Sequence, residues 1–140
     1  MAKKVKIVEV APFGELTHVV ADLWQRPIKL TFLGRAVTVP VSVNLDEKKP
    51  VAEPEQVKAF EAYTAAPGKF IAAAENALQK AFKAQLAGKG KIALESVSFP
   101  YARPCPTFGF LCTCNWEEDG LAVKFEDGKL AEVGTQDILL

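Results

Sequence analysis

An α+β domain, built on an antiparallel β-sheet with a central helical segment packed on one face, is the fold class this sequence predicts. Three observations carry the expectation. Alternating apolar residues recur towards both ends of the chain, a helix-period stripe occupies the middle, and the β–α alternation of a doubly wound parallel sheet is missing. At 140 residues the chain has the usual size of a single domain. With no repeat and no linker-like stretch to divide it, residues 1–140 are read as one unit.

The elements follow in order. Lys4 to Val10 sets Val5 and Ile7 against Lys4 and Lys6, the period of a strand. Pro12, Gly14 and the polar residues up to His18 read as a break. A second strand is expected from Ile28 to Leu33, and Gly34-Arg35 turns the chain into a third. There Val37, Val39, Val41 and Val43 share one face, with Thr38, Pro40 and Ser42 on the other. Pro40 has no N–H to give to a ladder, which places this strand at an edge or bulges it.

Asp46 to Pro54 is a charged loop, and Pro54 suits the first position of a helix. Val57, Phe60 and Tyr63 or Thr64 recur at helical spacing. Pro67, with its fixed φ, starts a second helix. Its stripe runs through Phe70, Ala73, Ala74, Ala77, Leu78, Ala81, Phe82 and Leu86, and Gly88 and Gly90 end it. Within residues 91–107 Ile92, Leu94 and Val97 are apolar, but Pro100, Pro104 and Pro106 make the rest an irregular connection. A three-stranded meander closes the chain. Phe108 to Trp116 alternates, Glu117-Glu118-Asp119-Gly120 turns, and Leu121, Val123 and Phe125 form the next strand. Asp127-Gly128 is the two-residue hairpin signal that leads into Leu130 to Gly134.

Charge and composition narrow the function classes. Lys plus Arg equals Asp plus Glu, 17 each, so the basic excess on which nucleic-acid affinity rests is absent and no nucleic-acid partner is expected. The distribution is uneven, however. Between Lys80 and Arg103 five basic residues face Glu95 alone, and from Asn115 to Leu140 seven acidic residues face Lys124 and Lys129. No apolar run approaches the ~18 residues of a membrane span, so no membrane association is expected. Met1 to Lys4 lead straight into alternating sequence without the apolar stretch of a signal peptide. Three cysteines, an odd number, argue against a secreted disulfide framework, and the cytoplasm is the expected location.

The residues that could carry chemistry are few. Cys105, Cys112 and Cys114 match no zinc-module spacing and His18 is the single histidine, so neither a metal nor a cofactor is expected. Cys112 and Cys114 fall in phase with Phe110 and Trp116 and read as core. Cys105, between Pro104 and Pro106, would need His18 brought beside it to act as a nucleophile. Ser42, Ser96 and Ser98 lie outside any Gly-x-Ser-x-Gly, and no glycine-rich phosphate loop is present. Glu117, Glu118 and Asp119 form the densest carboxylate group, either a solvated turn or a site for a hard cation or acid–base pair. No catalytic residue is assigned.

The segment Cys-Asn-Trp-Glu-Glu-Asp-Gly-Leu-Ala-Val-Lys-Phe-Glu-Asp-Gly-Lys-Leu-Ala-Glu-Val-Gly, Cys114 to Gly134, is similar to the ending of a group of small bacterial proteins. Several of these are thought to be immunity proteins that neutralise polymorphic or contact-delivered toxins. Their pattern is a Trp, acidic residues, His-Gly-Leu-Gly-Val, a short turn and Val-Gly. Trp116, Glu118, Gly120, Leu121, Val123, Val133 and Gly134 fit it. Asp119 stands where the histidine would, and the turn is about one residue shorter. The resemblance implies binding without catalysis.

The expectation is therefore a non-catalytic protein-binding module that takes a basic toxin through Trp116, Glu117, Glu118 and Asp119. The alternative is a small enzyme or ligand-binding protein that uses Cys105 with His18, or the acidic turn.

Overall fold

The computed structural model describes residues 5–101 and 104–139. Lys4, where the first strand was expected to begin, and Arg103 of the basic run lie outside them. Among the described residues eight strands form one sheet in chain order: β1 (Ile7–Val10), β2 (Gly14–Val20), β3 (Leu23–Phe32), β4 (Arg35–Asn44), β5 (Ile92–Phe99), β6 (Thr107–Cys114), β7 (Leu121–Glu126) and β8 (Lys129–Gly134). Between β4 and β5 lie three helices, α1 (Pro54–Ala65), α2 (Pro67–Ala81) and α3 (Lys83–Ala87), and a 3₁₀ turn (Gln136–Leu139) follows β8.

The sheet is mixed, which corrects the expected antiparallel one. Six neighbouring pairs are antiparallel, but β4 and β5 run parallel through Val41–Val97, Ser42–Ser98 and Val43–Phe99. The reason lies in the connection. A chain that leaves the end of β4 and crosses back through helices before re-entering the sheet can only pair in parallel. Gln56, in the first turn of α1, seals this seam from the buried side. Its Nε2 donates to Asn44 O at 2.7 Å and to Phe99 O and Pro100 O at 3.4 Å, and its Oε1 accepts from Glu53 N at 2.8 Å.

Two strands arise where none was expected. β2 occupies the stretch read as a break, and β5 takes in residues 92–99 of the segment 91–107. β5 hides its period because its register with β6 shifts between Leu94 and Ser96, and such a bulge breaks the alternation of apolar residues.

Pro40 does not mark an edge, because β4 is fourth of the eight strands and is paired on both sides. Pro27 stands directly opposite it on β3. Two facing prolines cannot exchange N–H bonds, so theirs is a non-hydrogen-bonded pair with both ring nitrogens turned outward. Pairing of β2 with β3 stops at Gln25, and pairing of β4 with β5 starts only at Val41. Neither nitrogen therefore faces a strand that requires a donor.

The helices begin as the prolines dictate, at Pro54 and Pro67. α1 buries Gln56, Ala59 and Tyr63, so its inner stripe contains a polar residue in place of Val57 and Phe60, which are half-buried. The stripe of α2 holds for Phe70, Ala74, Ala77 and Leu78 but not for Ala81, which is exposed where the helix breaks at Phe82. Tyr63 and Phe70 meet the rings of Phe99, Phe108, Phe110 and Phe125. Phe108 stacks on Phe125 at 5.2 Å and on Phe99 at 5.6 Å. Each such fully buried ring contributes about 1.5–3 kcal/mol. Val37, Val39, Val41 and Val43 face this core as their spacing predicts.

Candidate functional site

The acidic turn begins where β6 ends. Gly120 closes it with φ +67°, and a Cβ there would lie 2.6 Å from Cys112 O and from Gln136 Nε2, so only glycine fits. Gly120 N donates to Glu117 O at 3.1 Å, Cys114 Sγ donates to the same carbonyl at 3.6 Å, and Gln136 N donates to Asp119 O at 3.4 Å. The backbone is thus fixed from three directions while Glu118 and Asp119 stay exposed and Glu117 half-buried. Among the described residues no group of three or more His, Cys, Asp or Glu is placed to hold a metal ion. Trp116, read in phase with the core, falls beyond the end of β6. It is half-buried, its ring 5.7 Å from that of Phe82 at the break between α2 and α3.

His18 and Cys105 are not brought together. His18 lies on β2, its Nε2 donating to Ala21 O at 2.7 Å and 3.9 Å from Glu47 Oε1, with its ring against Trp24. Cys105 precedes β6. Four strand spacings separate β2 from β6, or about 19 Å along the hydrogen-bonding direction. The Cys105 thiol is moreover poorly activated. Its contact with Thr107 lowers its pKa, but desolvation and Glu126, whose Oε2 accepts from Sγ at 3.5 Å, outweigh this and leave the net shift upward. Cys112 is fully buried, and desolvation pushes its thiol up to about 12. Cys114 is half-buried against the same core.

The charge asymmetry of the sequence reappears in space. Glu118, Asp119, Asp127, Glu132 and Asp137 are all exposed on the meander and the turn after it. At the junction of the β3–β4 turn, α3 and the start of β5 lies a concavity of about 500 Å³ whose charged lining is Arg35, Lys83 and Lys91. Leu33, Leu86 and Ile92 supply its apolar floor. The basic run of the sequence hinted at this feature, but Arg35 joins it only through the fold.

Residues 84–140 match the model of a domain of unknown function, DUF6985. The matched stretch takes in most of α3, strands β5 to β8 and the final 3₁₀ turn, and so includes the acidic turn. No curated protein and no solved structure matches the chain.

Proposed function

We propose that the protein is a non-catalytic binding module whose acidic meander receives a basic protein partner, in the way an immunity protein receives the toxin it neutralises. One observation carries this reading: the carboxylates of Glu118, Asp119, Asp127, Glu132 and Asp137 are exposed, and none forms an ion pair with a described residue. Exposed acidic groups without an ion-pair partner raise the encounter rate with a basic partner, because complementary potentials steer association. The pinned backbone of the turn presents them with little ordering left to lose on binding. In this reading the helical segment backs one face of the sheet as a rigid support, and the module works in the bacterial cytoplasm. The resemblance of Trp116 to Gly134 to the endings of immunity proteins points the same way.

The test has two stages. A pull-down with the tagged protein from its native lysate is expected to retain one stoichiometric basic protein, identified by mass spectrometry. The triple variant Glu117→Lys, Glu118→Lys, Asp119→Lys is then expected to associate with that protein about tenfold more slowly at low salt, with an unchanged melting temperature. An unchanged association rate would remove the meander as the contact surface.

A further inference from the structure

Strands β4, β5 and β6 present a second surface, opposite the aromatic core, and it is lined differently. The register carries one row of residues across the sheet: Gln25, Ser42, Ser98 and Gly109 stand side by side on β3 to β6. Gln25, Ser42 and Ser98 of this row, with Ser96, line a groove of about 380 Å³, inside the range of about 300–1,000 Å³ typical of small-ligand sites. Leu23, Leu111 and Leu139 give it an apolar floor.

The serines are what distinguish this groove from an ordinary sheet face. Ser42 accepts from Gln25 Nε2 at 3.1 Å. Ser96 and Ser98 are 4% and 6% exposed, and neither hydroxyl has a hydrogen-bond partner among the described residues. Neither oxygen is sealed in the interior, so what remains exposed of each opens into the groove they line. A hydroxyl left unbonded by its own chain can donate to or accept from a group that enters the groove.

The charge of the lining selects the ligand. Among the described residues Asp22 and Glu95 are its ionisable groups, and no Lys, Arg or His lines it. Asp22 Oδ1 accepts from Asn44 Nδ2 at 3.3 Å and Glu95 Oε2 accepts from Gln136 Nε2 at 2.6 Å. Each carboxylate has about four accepting positions, so both retain capacity for a further donor. An anion would meet two negative charges here, whereas an ammonium or guanidinium group would find carboxylate and hydroxyl oxygens to accept its hydrogen bonds.

We infer that this groove is a binding site for an organic cation: an amino or guanidino group on a short aliphatic stem, held by Asp22 or Glu95 with the Ser96 and Ser98 hydroxyls. A diffusible amine and an arginine or lysine side chain of another protein share this chemistry. The site lies apart from the acidic turn, so its fate and that of the meander reading are separable.

The experiment is an amide NMR titration of the intact protein with agmatine, with the peptide Ala-Arg-Ala blocked at both ends, and with acetate. The amides of residues 42, 96 and 98 are expected to shift with one of the two cations and not with acetate. Tighter binding of agmatine identifies a diffusible amine as the source, and tighter binding of the peptide identifies a protein side chain. Of Asp22→Asn and Glu95→Gln, one is expected to weaken binding about tenfold, the loss of a hydrogen bond to a charged group, and so to identify the carboxylate that holds the cation. The double variant Ser96→Ala, Ser98→Ala is expected to weaken it severalfold while the melting temperature holds or rises. The proposal is overturned if millimolar cation shifts none of these amides, if acetate shifts them equally, or if the serine double variant binds as the parent does.

Discussion

The two faces of β4, β5 and β6 are built from alternate residues of the same strands, and each contains buried side chains. Val41, Val43, Val97, Phe99, Phe108 and Phe110 point one way and are buried; Ser42, Ser96 and Ser98 point the other and are buried too. On the first face the volume is filled by interleaved rings, several stacked or edge-on at 5.6–6.4 Å. On the second the side chains are short and leave space, which the final 3₁₀ turn closes at one end through Leu139. Burial alone therefore does not make a core. Side-chain volume decides whether a covered face becomes packing or a groove.

Three substitutions test that contrast. Phe108→Ala on the aromatic face is expected to cost about 3–5 kcal/mol in denaturant unfolding, because the ring meets Phe99, Phe125, Tyr63 and Phe70 and leaves a cavity. A loss below about 1 kcal/mol would mean that this face is not the core. Gly109→Ala, on the opposite face of the same strand, is expected to cost about 1–3 kcal/mol by overpacking. Its Cβ would sit 2.3 Å from Val123 O and 2.5 Å from Leu139 Cδ1, so the 3₁₀ turn must shift, visible as changed amide resonances over residues 136–139. Ser98→Ala is expected to change stability by no more than about 0.5 kcal/mol in either direction, since its hydroxyl has no partner to lose. A loss well above that would show that the serine face is held together by its own hydroxyls, and the contrast would fail.

Much of the framework was legible where local chemistry acts alone. Pro54 and Pro67 start helices because a fixed φ and a missing N–H are no penalty in a first turn. Asp127 and Gly128, both at positive φ, form the two-residue turn their identities announce. What escaped depends on partners far along the chain. The apolar residues of β5 fall at 92, 94, 97 and 99, and only the bulge against β6 makes that broken spacing a strand. Pro40 argues for an edge until Pro27 is known to face it. Ser42 and Ser98 look like unrelated serines until the parallel register sets them side by side. The acidic turn was visible as a run of residues, but that Glu118 and Asp119 have no ion-pair partner among the described residues is a property of the fold.

The order of strands in the sheet is also their order in the chain, and this bears on how the molecule assembles. Six of the seven strand pairs join neighbours along the chain, so β1 to β4 and β5 to β8 can each zip up by successive short closures, with hairpins forming in about 1–10 μs. One junction is non-local. Val41 and Val97, 56 positions apart, begin a seam only three residue pairs long. Closing that span carries the largest chain-entropy cost in the sheet, and relative contact order governs the folding speed of small domains. Gln56 lies on the intervening helix and touches the ends of both β4 and β5. The docking of α1 and the joining of the two strand arrays therefore share the hydrogen bonds of one side-chain amide.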